Sequence, residues 1–289
     1  MMKTIKTKQF KITATLLALV LTVSALAWNA TRVHAQELEI NNTNVQTFAG
    51  AGITDDGKLE GTADSNATMS VFVTGGSDDK YNAANIQWTH NGTAWDSETD
   101  VLYEGASSSQ KIFACSPYVA DATDGVITVT ASEQTDWLVA PATDLTARKV
   151  NLNMTHALTK LVINPSTFGS EVDNTSIAKI EVIGMYASGE LNIADNTWSN
   201  LSAANATLEM KNNEVLVIPM ASCTDFDVWI TMDDGRTFTT TVNLAGVDNQ
   251  LAAGTQYNIN LQVGQDKVTL GSITASPWGY ATGGVLETE

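Results

Sequence analysis

The sequence predicts an all-β protein of the sandwich or barrel class, and three observations lead there. Apolar and polar residues alternate with a period of two along most of the chain, the pattern of half-buried strands. Turn signals recur between these runs at roughly ten-residue spacing. No segment holds apolar residues at helical spacing long enough to make a confident amphipathic helix.

In chain order, the first element stands outside the fold. Lys3, Lys6, Lys8 and Lys11 precede an apolar run from Ile12 to Trp28, and Val33-His34-Ala35 then offers small residues for a cleavage site. This is the layout of a secretory signal over 1–35, cut between Ala35 and Gln36, with Ala25-Leu26-Ala27 as an earlier alternative. An uncleaved anchor is the competing reading, because the run is near the lower length limit for a membrane span. Strands follow at Met69–Thr74 and at Ile86–Thr89, which Asn91-Gly92 joins to Thr93–Trp95. Asp124-Gly125 introduces a strand at Val126–Thr130, and Asp136–Ala147 has room for a short helical turn. The loop-like Pro141-Ala142-Thr143 and the fresh strands beyond it place a domain boundary at residue 147, dividing 36–147 from 148–289. The second part contributes Val150–Met154, Leu158–Asn164, Lys179–Met185, Glu190–Ile193 and Val215–Pro219. Its clearest hairpin sets Phe226, Val228, Ile230 and Met232 against Phe238, Val242 and Leu244 across Asp233-Asp234-Gly235. Tyr257, Ile259, Leu261 and Val263 alternate with amides in the last strong run.

Export removes five of the 15 Lys and Arg and none of the 32 Asp and Glu, leaving a charge of about −22. That balance repels nucleic acid and anionic lipid, and excludes both as partners. Cys115 and Cys223 are the two cysteines. They are read as buried thiols, with a mutual disulfide as the alternative.

A search for chemistry assigns no catalytic, cofactor-binding or metal-ligating residue. His90 and His156 lack a nucleophile or ligand pattern at informative spacing and are read as structural. The carboxylate pairs Asp55-Asp56, Asp78-Asp79 and Asp233-Asp234 are sequence neighbours in turns. Glycoside hydrolysis needs two acids held across a cleft, and calcium loops need acids at alternate positions with a later glutamate. The tryptophans (Trp88, Trp95, Trp137, Trp198, Trp229 and Trp278) are read chiefly as core and hairpin packing, with sugar stacking as the sharper alternative.

Several segments, in order, resemble the fimbrillin-like proteins of Bacteroides-type bacteria. These are Ile112–Tyr118 with its Pro-Tyr end, Asp136–Ala140, Val150–Leu161 with its His-Ala-Leu strand, Val215–Pro219, Leu251–Tyr257, and a tail carrying Pro277-Trp278-Gly279. The resemblance implies two transthyretin-like β-sandwich domains and a non-enzymatic structural or adhesive subunit of surface fimbriae. In that family a protease removes an N-terminal strand and a neighbouring subunit's strand fills the groove, a form of β-strand addition. Here the removable strand would lie before Met69, and the tail from Asp266 to Glu289 would be the donor. The sequence departs from the family pattern in two places. No cysteine precedes Cys115 for lipid attachment, and the first arginine after the signal is Arg148, so Lys58, followed by Leu59, is the basic residue near the expected cut. The implied partners are other fimbrial subunits and surface glycans or proteins of host or bacterium. No cofactor, nucleic acid or stable membrane span is expected, and the site of action is the cell surface or the medium, reached through the outer membrane. A secreted carbohydrate- or matrix-binding module that does not polymerise is the alternative.

Overall fold

The computed structural model describes residues 36–45, 59, 61–62, 65–122, 124–167, 177–264 and 266–278. The signal segment, Ala35, Lys58 and Asp55-Asp56 lie outside them. Most of the described residues are in strands. The N-terminal half holds β1 (Gln36–Glu37), β2 (Glu39–Val45), β3 (Gly61–Thr62), β4 (Ser65–Asn66), β5 (Thr68–Thr74), β6 (Ala83–His90), β7 (Trp95–Asp96), β8 (Leu102–Tyr103), β9 (Lys111–Ser116), β10 (Val126–Thr130), β11 (Leu138–Asp144) and β12 (Lys149–His156). The C-terminal half holds β13 (Thr159–Thr167), β14 (Ile177–Tyr186), β15 (Ser188–Asn192), β16 (Thr197–Ser199), β17 (Ala204–Glu209), β18 (Glu214–Val217), β19 (Asp225–Met232), β20 (Thr237–Asn243), β21 (Thr255–Val263) and β22 (Val268–Pro277).

Seven strands of the N-terminal half form one sheet in the order β2-β12-β11-β9-β5-β6-β7. Its two ends, β2 and β7, approach each other, so the sheet curls around an interior. Met69, Val71 and Val73 of β5, Ile112 and Ala114 of β9, and Leu152 and Met154 of β12 line that interior. On the other face Phe72 stacks on Phe113 at 4.9 Å, and these join Cys115 and Val139 in the core of the C-terminal half. The central strands are thus buried on both sides, which removes the alternation from Lys111–Ser116.

Two four-stranded sheets, β18-β13-β21-β22 and β17-β14-β19-β20, share the larger core. Their inward residues alternate as the sequence requires: Phe226, Val228, Ile230 and Met232 are buried, and Thr237, Thr239 and Thr241 of the opposite strand are exposed. The Asp-Gly turn between β19 and β20 is closed by Met232 N–H to Arg236 O, and Gly235 takes the positive φ that an L side chain resists. Asp234 is spent in the same turn, accepting from the Arg236 backbone and guanidinium.

Two expectations are corrected. Asp136–Ala147 holds β11 rather than a helical turn; Pro141, which has no N–H to give, sits where the β9–β11 register shifts. His156 ends β12 instead of starting a strand, and the chain turns at Ala157-Leu158 into β13. The strand following residue 147, β12, pairs with β11 and β2. A three-stranded sheet, β10-β15-β16, joins the two halves, with β10 pairing along β15 from Val126↔Asn192 to Thr130↔Ser188.

Cys115 and Cys223 are unpaired and buried. Burial pushes the Cys115 thiol up to about 12 and raises that of Cys223. Both therefore stay protonated and poorly nucleophilic at neutral pH. Iodoacetamide is expected to label neither in the folded protein and both after denaturation; rapid labelling of the native protein, seen by intact mass, would contradict this packing.

Candidate functional site

The feature with the form of a site is the N-terminal edge of the seven-stranded sheet. β2 runs parallel to β12, from Glu39↔Lys149 to Val45↔Met154, and among the described residues it is an edge of the seven-stranded sheet. Its asparagine-rich sequence shows little alternation, so tertiary pairing rather than local pattern makes it a strand. Leu38 and Ile40, each 4% exposed, point into the interior. β1 pairs with β8, and Leu38 N–H donates to Val101 O at 2.7 Å, so this segment is tied down on both flanks. At the far end Leu59 N–H donates to Thr43 O at 3.2 Å, and Thr43 Oγ1–H donates back to Leu59 O at 3.1 Å. Leu59 is 3% exposed. Beside β1 and β2 lies a groove of ≈ 420 Å³ of mixed lining, where Leu38, Ile40, Trp88, Trp95 and Val101 meet Glu37, Glu39, Asp96, Asp100 and Lys149.

Electrostatics reinforces the edge. Glu39 pairs with Lys149 at 2.8 Å and with Arg148. The hydrogen bond from the Lys149 ammonium holds its carboxyl below the usual range against the opposing effect of desolvation, and the charges of Arg148 and Lys149 add to it. Because the folded value lies below the unfolded one, Glu39 stabilises the fold above the unfolded carboxylate range. That contribution fades as pH falls through the lowered value. Glu39→Gln is expected to lower Tm slightly at neutral pH and not at all in acid, since an exposed pair is worth little. An equal loss at both pH values would rule out the ion pair as the cause.

Of the cleavage positions named from sequence, Gln36 is the first described residue and pairs with Tyr103, while Ala35 and Lys58 lie outside the description. Leu59 is drawn into the edge by Thr43. Sequence reasoning missed that link, and the meeting of Glu39 with Arg148-Lys149, because each joins distant segments. It also missed a clasp at the other end of the sheet. His156 Nδ1–H donates to Asp136 Oδ1 at 2.7 Å, and the imidazole stacks on Trp278 at 3.7 Å. Trp278 N–H in turn donates to Gly254 O, so the His-Ala-Leu and Pro-Trp segments touch. His90 is also buried, edge-on to Trp95. Trp88, Trp95, Trp137 and Trp278 are core residues, Trp198 is half-buried against the larger core, and Trp229, at 48% exposure, faces solvent.

The sequence profile of the fimbrillin-like family matches residues 21–278. The chain belongs to that family. This fimbrillin-like chain also resembles crystal structures of candidate cell adhesion proteins from Bacteroides uniformis and Bacteroides ovatus. The first shares 17% identity at a TM-score of 0.64, with 84% of this chain and 98% of the other covered. The second shares 16% at 0.62, with the same coverage of each. The tip fimbrial protein Mfa3 from Porphyromonas gingivalis, with a C-terminal truncation, aligns at 10% identity and a TM-score of 0.53, over 84% of this chain and 99% of that one. At such identities the likeness establishes a shared fold. No curated protein matches the chain.

The fimbrillin-like chain changes one expectation about its tail. Val268–Pro277 is already engaged as β22, paired with β21 from Val263↔Val268 to Thr255↔Pro277. The tail from Asp266 is therefore not available as a whole for another subunit, and residues 279–289 lie outside the description. Among the described residues no helix is long and apolar enough to cross a membrane.

Proposed function

We propose that this chain is a structural subunit of bacterial surface fimbriae, joined to its neighbours by β-strand addition rather than acting by catalysis. The observation that carries the reading is the N-terminal edge. One parallel ladder and a few apolar side chains seal an interior that β12 would otherwise leave open, and Lys58 stands directly before the residue that closes the far end. Cutting between Lys58 and Leu59 after export at Ala35-Gln36 would release β1 and β2 and leave an unpaired strand beside an open interior. Such an edge persists only when another chain completes it. Residues 279–289 are the part of the expected donor that β22 leaves over. On this reading the 1–35 signal starts export, the chain reaches the surface by way of the outer membrane, and the two halves act as two sandwich domains.

The test is the N-terminus and intact mass of the protein recovered from its host, with an unboiled denaturing gel. A start at Leu59 with a ladder of oligomers is the expected result. A start at Gln36 and a single monomer band would overturn assembly by strand replacement.

A further inference from the structure

A second groove, of ≈ 660 Å³, lies on the outer side of the β6–β7 hairpin and within the usual size of ligand sites. Its floor follows from strand alternation. Trp88 and His90 turn inward to the core, which sends Gln87 and Thr89 outward. Asp96, Glu98 and Tyr118 line it as well.

The frame is held from behind. Tyr118 N–H donates to Thr68 Oγ1 at 3.2 Å, and Val119 N–H donates to the buried Ser70 Oγ at 3.1 Å. Asn85 Nδ2–H₂ binds Val119 O at 2.7 Å and Ala120 O at 2.9 Å. These bonds fix the Tyr118 loop onto β5 and β6, the strands that carry Thr89 and Gln87 opposite Thr68 and Ser70. Among the described residues, the side chains of Gln87, Thr89, Glu98 and Tyr118 make no hydrogen bond of their own. The groove therefore presents an amide, a hydroxyl, a carboxylate and a phenol, all available, beside an aromatic face.

We propose that this groove binds a neutral saccharide. Sugar hydroxyls both donate and accept, which suits a mixed set of amide, hydroxyl and carboxylate, and the apolar face of a pyranose suits the Tyr118 ring. Anionic ligands are disfavoured. No Lys or Arg lines the groove, Asp96 and Glu98 do, and the whole chain carries a formal −17. Metal is disfavoured too, since no group of three or more His, Cys, Asp or Glu assembles among the described residues.

The intact chain, its Gln87→Ala and Tyr118→Ala variants, and a Trp229→Ala variant on a different sheet should be applied to a glycan array. The array carries neutral oligosaccharides of glucose, galactose, mannose and N-acetylglucosamine beside sialylated and sulfated glycans. The parent is expected to retain neutral glycans only. Each groove variant should weaken that binding roughly three- to tenfold, as for loss of one hydrogen bond or ring contact, and Trp229→Ala should leave it unchanged. Gln87 is exposed, so Gln87→Ala carries the test even if Tyr118→Ala folds poorly. The proposal fails if no neutral glycan is retained or if anionic glycans are preferred. It fails equally if Gln87→Ala binds like the parent, or if Trp229→Ala alone abolishes binding.

Discussion

A chain beginning at Leu59, lacking residues 36–58, is expected to melt on the order of 10 °C below the chain beginning at Gln36. Two terms set the size. Leu38 and Ile40 leave the interior, at about 1.5–3 kcal/mol each for full burial. The β2–β12 and β1–β8 ladders vanish as well, leaving the backbone of β12 to water. The apolar part alone, about 3–6 kcal/mol, is a large share of the about 5–15 kcal/mol that holds a typical domain. A synthetic peptide of residues 36–45 added in trans should recover much of the lost Tm, because it restores the same ladder and the same two side chains. A truncated chain that melts within a degree or two of the longer one would show that β2 seals nothing, and the strand-replacement reading would fall with it.

Trp278→Ala is expected to cost about 3–5 kcal/mol, the usual range for emptying a buried tryptophan site. Trp278 is 3% exposed, stacks on His156, lies beneath the Lys160 ammonium at 5.9 Å and is tied through its backbone to Gly254. His156→Ala removes the other half of the stack and strands the Asp136 carboxylate. If the clasp is one unit, the two losses overlap. The double variant should then cost about 1 kcal/mol less than the two single losses combined. Denaturant unfolding of the four proteins measures this directly. Additivity within about 0.3–0.5 kcal/mol would mean the rings are neighbours without being coupled.

What could be seen in the sequence was local. The β19–β20 hairpin was legible because both strands have one wet face and one dry face, and because Asp-Gly marks the turn. β21 was legible for the same reason. Lys111–Ser116 and Leu138–Asp144 were harder: strands buried on both faces lose their alternation, and Pro141 at a register shift imitates a loop. Glu39–Val45 was hidden most deeply. Four of its seven residues are Glu or Asn, and it is a strand because β12 lies beside it. The same limit applied to the site. Lys58 could be picked out as a lone basic residue, whereas its neighbour's tie to Thr43 could not. The His156–Trp278 clasp joins two motifs that were each visible, yet nothing in either announced the other. β10 pairing with β15 was equally hidden, since the order of strands along the sequence does not show which distant strand each one joins.

The direction of β2 also governs how the molecule bears load. β2 and β12 run the same way, so a pull that draws the N-terminal end outward while the rest of the chain is held acts along both strands in opposite senses. The hydrogen bonds between them are then strained together, side by side, and must fail as a group. An antiparallel hairpin pulled at its open end would instead peel one bond at a time. A strand seated in the β2 position, with the same polarity, would meet tension in the sturdier of these two geometries.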